Sequence, residues 1–577
     1  MRRQMRYRVI PCLITNFMSS TPTFNFAPAA VVSGLAPYSG SWTRQQAAHL
    51  LRRTLFGPKR DEINQAVSQG LNATLNQLFA APTLPAPPVN HFYTDDPNVP
   101  VGATWIDSPH VDGADVGQYR WPSLRGWYMQ NLIDSDFNIM EKIAMFWVNH
   151  FGMADVGEHR AQYQYIQLFR EHGLGSFQEM IERITVHPAM LRFLNGEYSN
   201  KWEPNENYAR ELLELFTIQK GPQVAPGDYT HYTEDDIQTI ARVMTGWRNR
   251  GMWSQDNVPV ESWFDANWHD NPNNANNPNQ DPKQLSHRFD NVVIGNDPNY
   301  PPELEYKELI NVIFGKVETA RSICRELYRF FVYYDINASV ENDVIIPLAD
   351  HMISENFSIR ETLRMLFSSQ HFFDMAVRGP YIKSPYDFLI GVARPLGGYS
   401  HLGLSLGNNT DLNITYRLGN AYHWWANTMD MDFLYPPTVA GWKAYYQTPG
   451  FYRNWIGSST LQRRRKVVQD MTWNGIWTEG EGRPFDYFGF ISDLTNPYDV
   501  NGMIEEIVGI FLPRELHQDQ LDGLKAQLIP DLPDSEWALQ WGDYEANPYN
   551  PDVVGPIYNK IRDFFRALFS MAEFHLQ

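Results

Sequence analysis

Apolar residues recur at three- and four-residue spacing in one segment of this chain after another, and that period constrains the fold more than any other feature. "TRQQAAHLLRRTLFGP" (43–58) shows the pattern with its punctuation. Thr43 and Gln46 form a capping-box pair, Ala47, Leu50, Leu51 and Leu55 fall on one side, and Gly57-Pro58 stops the helix. His49, Arg52 and Arg53 are left on the other side as a basic face. The same period predicts helices in "IMEKIAMFWVNHFG" (139–152), with Gly152 as cap, and in "YTEDDIQTIARVMTGW" (232–247), with Thr233 as N-cap. It returns in "ARSICRELYRFFVYY", "SIRETLRMLFSSQHFF", "KSPYDFLIGVARPLGG" and the closing "YNKIRDFFRALFSMAEFHLQ". Alternating strand patterns are few and no fixed-period repeat occurs. The expected fold is mainly α, one large helical unit over 42–577 with long aromatic and Asn-rich loops and few short strands.

Where the period fails, loops are expected. Residues 1–41, rich in Pro, Ser and Ala, read as a flexible N-terminal arm. Within them "MRRQMRYR" resembles the basic start of an export signal and "APA" (27–29) its cleavage site, but the stretch between is short and broken by Pro11 and Asn16. It makes no convincing signal peptide, so export stays open, and Met18 is an alternative start. A Pro-rich connector spans 81–90. Over 251–300 the period disappears, and 267–279 holds seven Asn, which predicts a long loop insertion serving as a lid or rim.

The charge balance is acidic, 47 Lys+Arg against 66 Asp+Glu, net −19, which excludes a nucleic-acid phosphate backbone as main partner. The basic run "QRRRK" (462–466) reads as the wet face of a helix. Two cysteines, Cys12 and Cys324, cannot build a disulfide framework or a Cys-based zinc site, so a divalent metal would need His and carboxylate ligands. No apolar run reaches the length of a transmembrane helix. Serine-hydrolase, P-loop and dinucleotide motifs are missing. The 18 Trp and 30 Tyr suit either a packed core or stacking surfaces.

"NENYARELLELFTIQKG" (205–221) is the richest segment chemically. On a helical wheel Tyr208, Ala209, Leu212, Leu213, Leu215 and Phe216 share one arc, while Glu206, Asn207, Arg210, Glu211 and Glu214 take the rest. Arg210 lies four residues from Glu206 and from Glu214, which is plain solvated-face spacing. A crowded loop, "NGEYSNKWEPNEN", delivers the helix start, where Asn205 and Asn207 could meet a ligand. His150 lies on the face of Ile143, Phe146 and Trp147 near a helix end, as either a satisfied core histidine or a general base. In "WFDANWHDNPN", His269 and Asp270 could ligate a metal, and Trp263 and Trp268 could stack on a sugar ring. "YPPTVAGW" (435–442) reads as structural, with Trp442 as a core plug.

Taken in order, "AAHLLRRTLFGP", "FWVNHFG", "NENYARELLELFTI", "YTEDDIQTIARVMTGW", "WHD", "KSP", "PPTVAGW" and "AEFHLQ" resemble the bacterial family called Domain of Unknown Function 1800, from about residue 42 to the end. The resemblance implies a large, mostly helical unit without an established reaction, often encoded beside a second protein that looks like a sulfatase or alkaline phosphatase, and often exported. Two functions are expected from these residues. One is a binding or assembly protein with a buried charged network and aromatic recognition loops. The other is a hydrolase or lyase on a carbohydrate-like or polar polymer, with Glu206 and Glu211 as its carboxylates, His150 as base or ligand and Arg210 or Arg242 holding an anion. Two arrangements would mark a site: Arg52 and Arg53 packed on Glu206, Glu211 or Glu214, and a His150 ring nitrogen within hydrogen-bond or metal-bridging reach of Glu206 or Glu211, or sharing a polar cavity with them.

Overall fold

Helices dominate because the apolar stripes find one another. In the computed structural model, which describes residues 33–442, 455–473, 475–478 and 480–577, Ala47, Leu50, Leu51 and Leu55 are all buried, as the wheel predicts. The leader-like segment and residues 1–32 of the expected arm lie outside the described residues. From 33 onward the chain is tied down: Pro37 bridges Ser369, and the Tyr38 N–H donates to the Ser368 carbonyl (2.8 Å).

The helices Gly117–Ile133 and Asn409–Thr428 cross where Gly126 meets Tyr416 and Gly419. A Cβ on Gly419 would lie 2.4 Å from the Gly126 carbonyl oxygen, so the two backbones can approach only without side chains there. Met140–Phe151 ends on Gly152 in the left-handed region (φ 51°), where a Cβ would strike the Val439 carbonyl. The 435–442 segment is thereby locked to that helix end, and Trp442 is buried as expected. Near the C-terminus Gln518–Leu528, Ser535–Ala546 and Pro551–Ser570 pack together, and the last residues return to the "KSP" segment, with an Ile382–Leu576 bridge.

Strands among the described residues occur as antiparallel pairs: Gln223–Ala225 with Asp228–Tyr229, Trp247–Arg250 with Glu261–Phe264, Lys283–Gln284 with Val293–Ile294, and Ile476–Thr478 with Glu481–Arg483. Two of these pairs draw on 251–300, so that stretch carries local order where the loss of helical period suggested none. Of the "QRRRK" run, Arg464 is buried and the others are exposed. Among the described residues no helix is long and apolar enough to cross a membrane.

Candidate functional site

The 205–221 segment forms the α-helix Glu206–Glu211, which continues as a π-helical turn, Leu212–Phe216. Its apolar arc is largely buried: Tyr208, Ala209, Leu212, Leu213 and Phe216 lie inside, and Leu215 is half-buried. Asn205 caps it, its side chain accepting from the Asn207 N–H (2.8 Å), while Asn207 itself is exposed. On the wet side Arg210 pairs with Glu206 (3.4 Å), Glu214 (3.3 Å) and Glu234 (2.9 Å). The hydrogen bond that Arg210 donates to Glu234 leads in holding its guanidinium firmly charged. Burial pushes the Glu214 carboxyl up, but hydrogen bonds from Tyr232, Lys220 and Arg210 outweigh it and hold the group below its usual range. Glu211 goes the other way, raised by burial and by the Glu214 charge.

His150 does not meet these carboxylates where the sequence placed it. Its Nε2 lies 3.3 Å from the Phe216 carbonyl, at the far end of the segment from Glu206. Phe146, Trp147, Phe151, Phe177 and Phe216 surround the ring at centroid distances of 4.9–6.3 Å. Burial among them pulls its pKa down to about 4, so the imidazole is neutral at pH 7. A helix C-terminus favours the charged form, but desolvation among the aromatic rings overrides that weaker dipole effect.

Arg242, His269 and Asp270 come together as an anchor for the Asn-rich loop. Arg242 donates to Asp270 (2.8 Å) and to the Asp281 carbonyl (2.6 Å), and Asn277 donates to Asp270 (2.7 Å). His269 Nδ1 lies 2.8 Å from the Thr245 carbonyl, which directs Nε2 to accept from the Lys283 ammonium (3.0 Å). Lys283 also pairs with Glu305. A cation between His269 and Glu305 is therefore present already, as a lysine. Among the described residues no group of three or more His, Cys, Asp or Glu converges as a metal would need.

The basic face of the first helix also finds other partners than expected. Arg52 donates to the Gly509 and Ile510 carbonyls, at the end of the helix Val500–Phe511. Arg53 donates to the Val377 carbonyl (3.0 Å) and stacks over Tyr381 (4.6 Å). Backbone carbonyls, with the partial negative charge of a helix end in the first case, supply what glutamates were expected to supply.

Five of the motifs behind the family resemblance meet in one buried polar knot. Lys142 pairs with Asp387, which also accepts from Ser384 of "KSP" (2.9 Å) and from the C-terminal Gln577 (3.3 Å). Asn149 of "FWVNHFG" accepts from the Trp442 N–H of "PPTVAGW" (2.7 Å). Phe56 of the first helix's motif lies under the Lys142 ammonium, 4.3 Å from its ring centre. The cavity these groups line is ≈ 20 Å³, room for about one water rather than a substrate. Comparable buried pairs join Arg394 to Glu62, Arg170 to Glu141 and Arg160 to Glu158.

The most accessible arrangement is aromatic. Trp202, Trp253, Trp263 and Trp268 are exposed, Trp202 by 62%, together with Tyr198. Trp202 and Trp268 meet edge to face at 5.6 Å. Lys201 lies over Trp202 (4.6 Å), Arg248 over Trp268 (5.0 Å), and Arg192 over Trp253 (4.9 Å). Arg248 is also the cross-strand partner of Trp263, so both share one face of the hairpin. Arg248 donates to the Glu197 and Ser199 carbonyls, which ties the hairpin to the loop bearing Tyr198 and Trp202. Trp253 is held by its N–H to Glu158 (2.8 Å), a carboxyl kept far below its usual range because bonds from His110, Arg160 and that N–H outweigh its burial.

Sequence reasoning named Trp263 and Trp268 on this face and missed Tyr198, Trp202, Trp253, Arg192 and Arg248. A signal existed for two of them, since Tyr198 and Trp202 lie in the same crowded loop, "NGEYSNKWEPNEN". It also missed Lys142 and Asp387, which lie 245 positions apart.

Residues 49–574 match a family whose description reads "Protein of unknown function (DUF1800)". No curated protein and no solved structure matches the chain.

Proposed function

The chain belongs to the DUF1800 family, and on that premise we propose that it is a binding or assembly protein that docks a partner protein on the face of Tyr198, Trp202, Trp253, Trp263 and Trp268. The observation that carries this reading is a set of four exposed indoles, three of them paired with Arg192, Lys201 and Arg248 and the fourth, Trp263, opposite Arg248 in the hairpin. Trp, Tyr and Arg are the residue types that dominate binding hot spots, because large rigid rings bury much area at little entropic cost. A set of exposed tryptophans held in place by cations and hairpin pairing is preorganised for that use.

The sulfatase- or phosphatase-like neighbour that the resemblance implies is the first partner to test. Titration calorimetry of the purified pair should show a saturable complex, and Trp202→Ala with Trp268→Ala should weaken it by at least about tenfold. No complex, or a complex of unchanged affinity in the double variant, overturns the reading.

A hydrolase or lyase keeps one supporting observation, the Glu211 carboxyl raised toward protonation as a general acid requires. Against it, Glu206 and Glu214 are tied to Arg210, and His150 meets a backbone carbonyl. Turnover of a polysaccharide panel that disappears in Glu211→Gln would favour this second reading.

A further inference from the structure

The remaining exposed tryptophans, Trp424, Trp473 and Trp477, lie together elsewhere in the molecule and line one open groove of ≈ 490 Å³. That volume is within the range of small-molecule and cofactor sites, about 300–1,000 Å³. Three elements build it. The helix Asn409–Thr428 contributes Ala421, Trp424 and Trp425 at helical spacing, with Trp425 buried and Trp424 60% exposed. The helix Ser458–Trp473 contributes Gln469, Asp470 and Trp473. The strand Ile476–Thr478 buries Ile476 and Thr478 and so turns Trp477 outward, 65% exposed. Arg562 lies over Trp473, 4.2 Å from its ring centre, and covers one side of that indole.

We infer that this groove binds a neutral oligosaccharide. Clustered exposed indoles in a ligand-sized groove are contact surfaces rather than accidents of packing. Indole faces suit the C–H face of a pyranose ring, while its hydroxyls need acceptors and donors at the rim. Gln469 supplies both, and Asp470, whose Oδ1 already pairs with Lys466, keeps Oδ2 as a further acceptor. Nucleobases also stack on tryptophan, but their phosphates need a basic groove. Here the charged lining residue, Asp470, is paired with Lys466, and Arg562 over Trp473 is paired with Asp563, so the charges at the groove are already matched. Charges already matched within the chain favour neither a sulfated nor a uronic-acid polymer, which leaves uncharged sugars as the matching class.

The groove shares no residue with the Trp202–Trp268 face, so the inference does not rest on the protein-partner reading. The test is titration calorimetry of the full chain with cellohexaose, xylohexaose, mannohexaose and chitohexaose, followed in parallel by tryptophan fluorescence. At least one probe should bind saturably, with Kd in the range of about 10 µM to 1 mM. Trp424→Ala with Trp477→Ala should weaken that binding by about tenfold or more, with circular dichroism unchanged. Trp202→Ala with Trp268→Ala should leave it unaltered. Failure of all four probes to saturate below about 10 mM overturns the inference. So does a groove double variant that binds like the parent, or loss of binding in the Trp202/Trp268 variant alone.

Discussion

The Lys142–Asp387 knot and the Trp202–Trp268 face reverse the usual placement of residue types. In the first, a charged pair is buried beneath aromatic rings; in the second, large apolar rings stand in solvent. The difference teaches where each kind of residue acts. Lys142 and Asp387 are satisfied by one another and, for Asp387, by Ser384 and Gln577, so their role is to hold distant segments together. The exposed indoles hold nothing comparable in place, and the proposed docking role rests on that difference. The Arg210 network falls between these extremes, half-exposed and shared among three glutamates.

If that contrast is right, breaking the knot is the largest effect available. Asp387→Ala strands Lys142, whose pKa burial already depresses against the pull of Asp387, and should destabilise the fold by about 3–5 kcal/mol in urea denaturation. Replacing both partners, Lys142→Met with Asp387→Leu, should cost less than either single change, because no charge is left unpaired. Equal losses in single and double variants would show that shape rather than charge matters there.

His150 should come next. Its folded pKa, about 4, lies below the unfolded value of about 6.5, so folding excludes a proton. Its contribution is intact above about pH 6.5 and is lost as pH falls toward about 4, worth about 2–3 kcal/mol over that window. His150→Phe should flatten the pH dependence of stability there by about one proton. An unchanged slope would remove His150 from the aromatic core account.

Arg210→Ala should matter least among the charged groups, about 1 kcal/mol or less and smaller still in high salt, because its partners are wet. A loss of several kcal/mol would move this network from the surface class to that of the knot.

The limits of the sequence follow from the same contrast. Helical period found the first helix, the 139–152 helix and the apolar arc of 205–216, because burial of one face is a local property written at three- and four-residue spacing. It did not find the π-helical turn at Leu212–Phe216, which changes the spacing only after the helix has formed. Period also showed that Arg52 and Arg53 leave the apolar side but not what they meet, since the Gly509 and Ile510 carbonyls come from a helix more than 450 positions away. Residue type alone cannot sort the seven exposed tryptophans from the buried ones such as Trp105 and Trp147. Only tertiary packing decides which indole is core and which is surface.

The central claim, that the charged knot holds the fold while the Trp202–Trp268 face serves an external partner, is tested most directly by the unfolding free energy of Trp202→Ala with Trp268→Ala. The account predicts a loss of about 1 kcal/mol or less, the scale of exposed substitutions with one ring contact removed. A loss of about 3 kcal/mol or more, matching Asp387→Ala, would contradict it and make those indoles part of the scaffold.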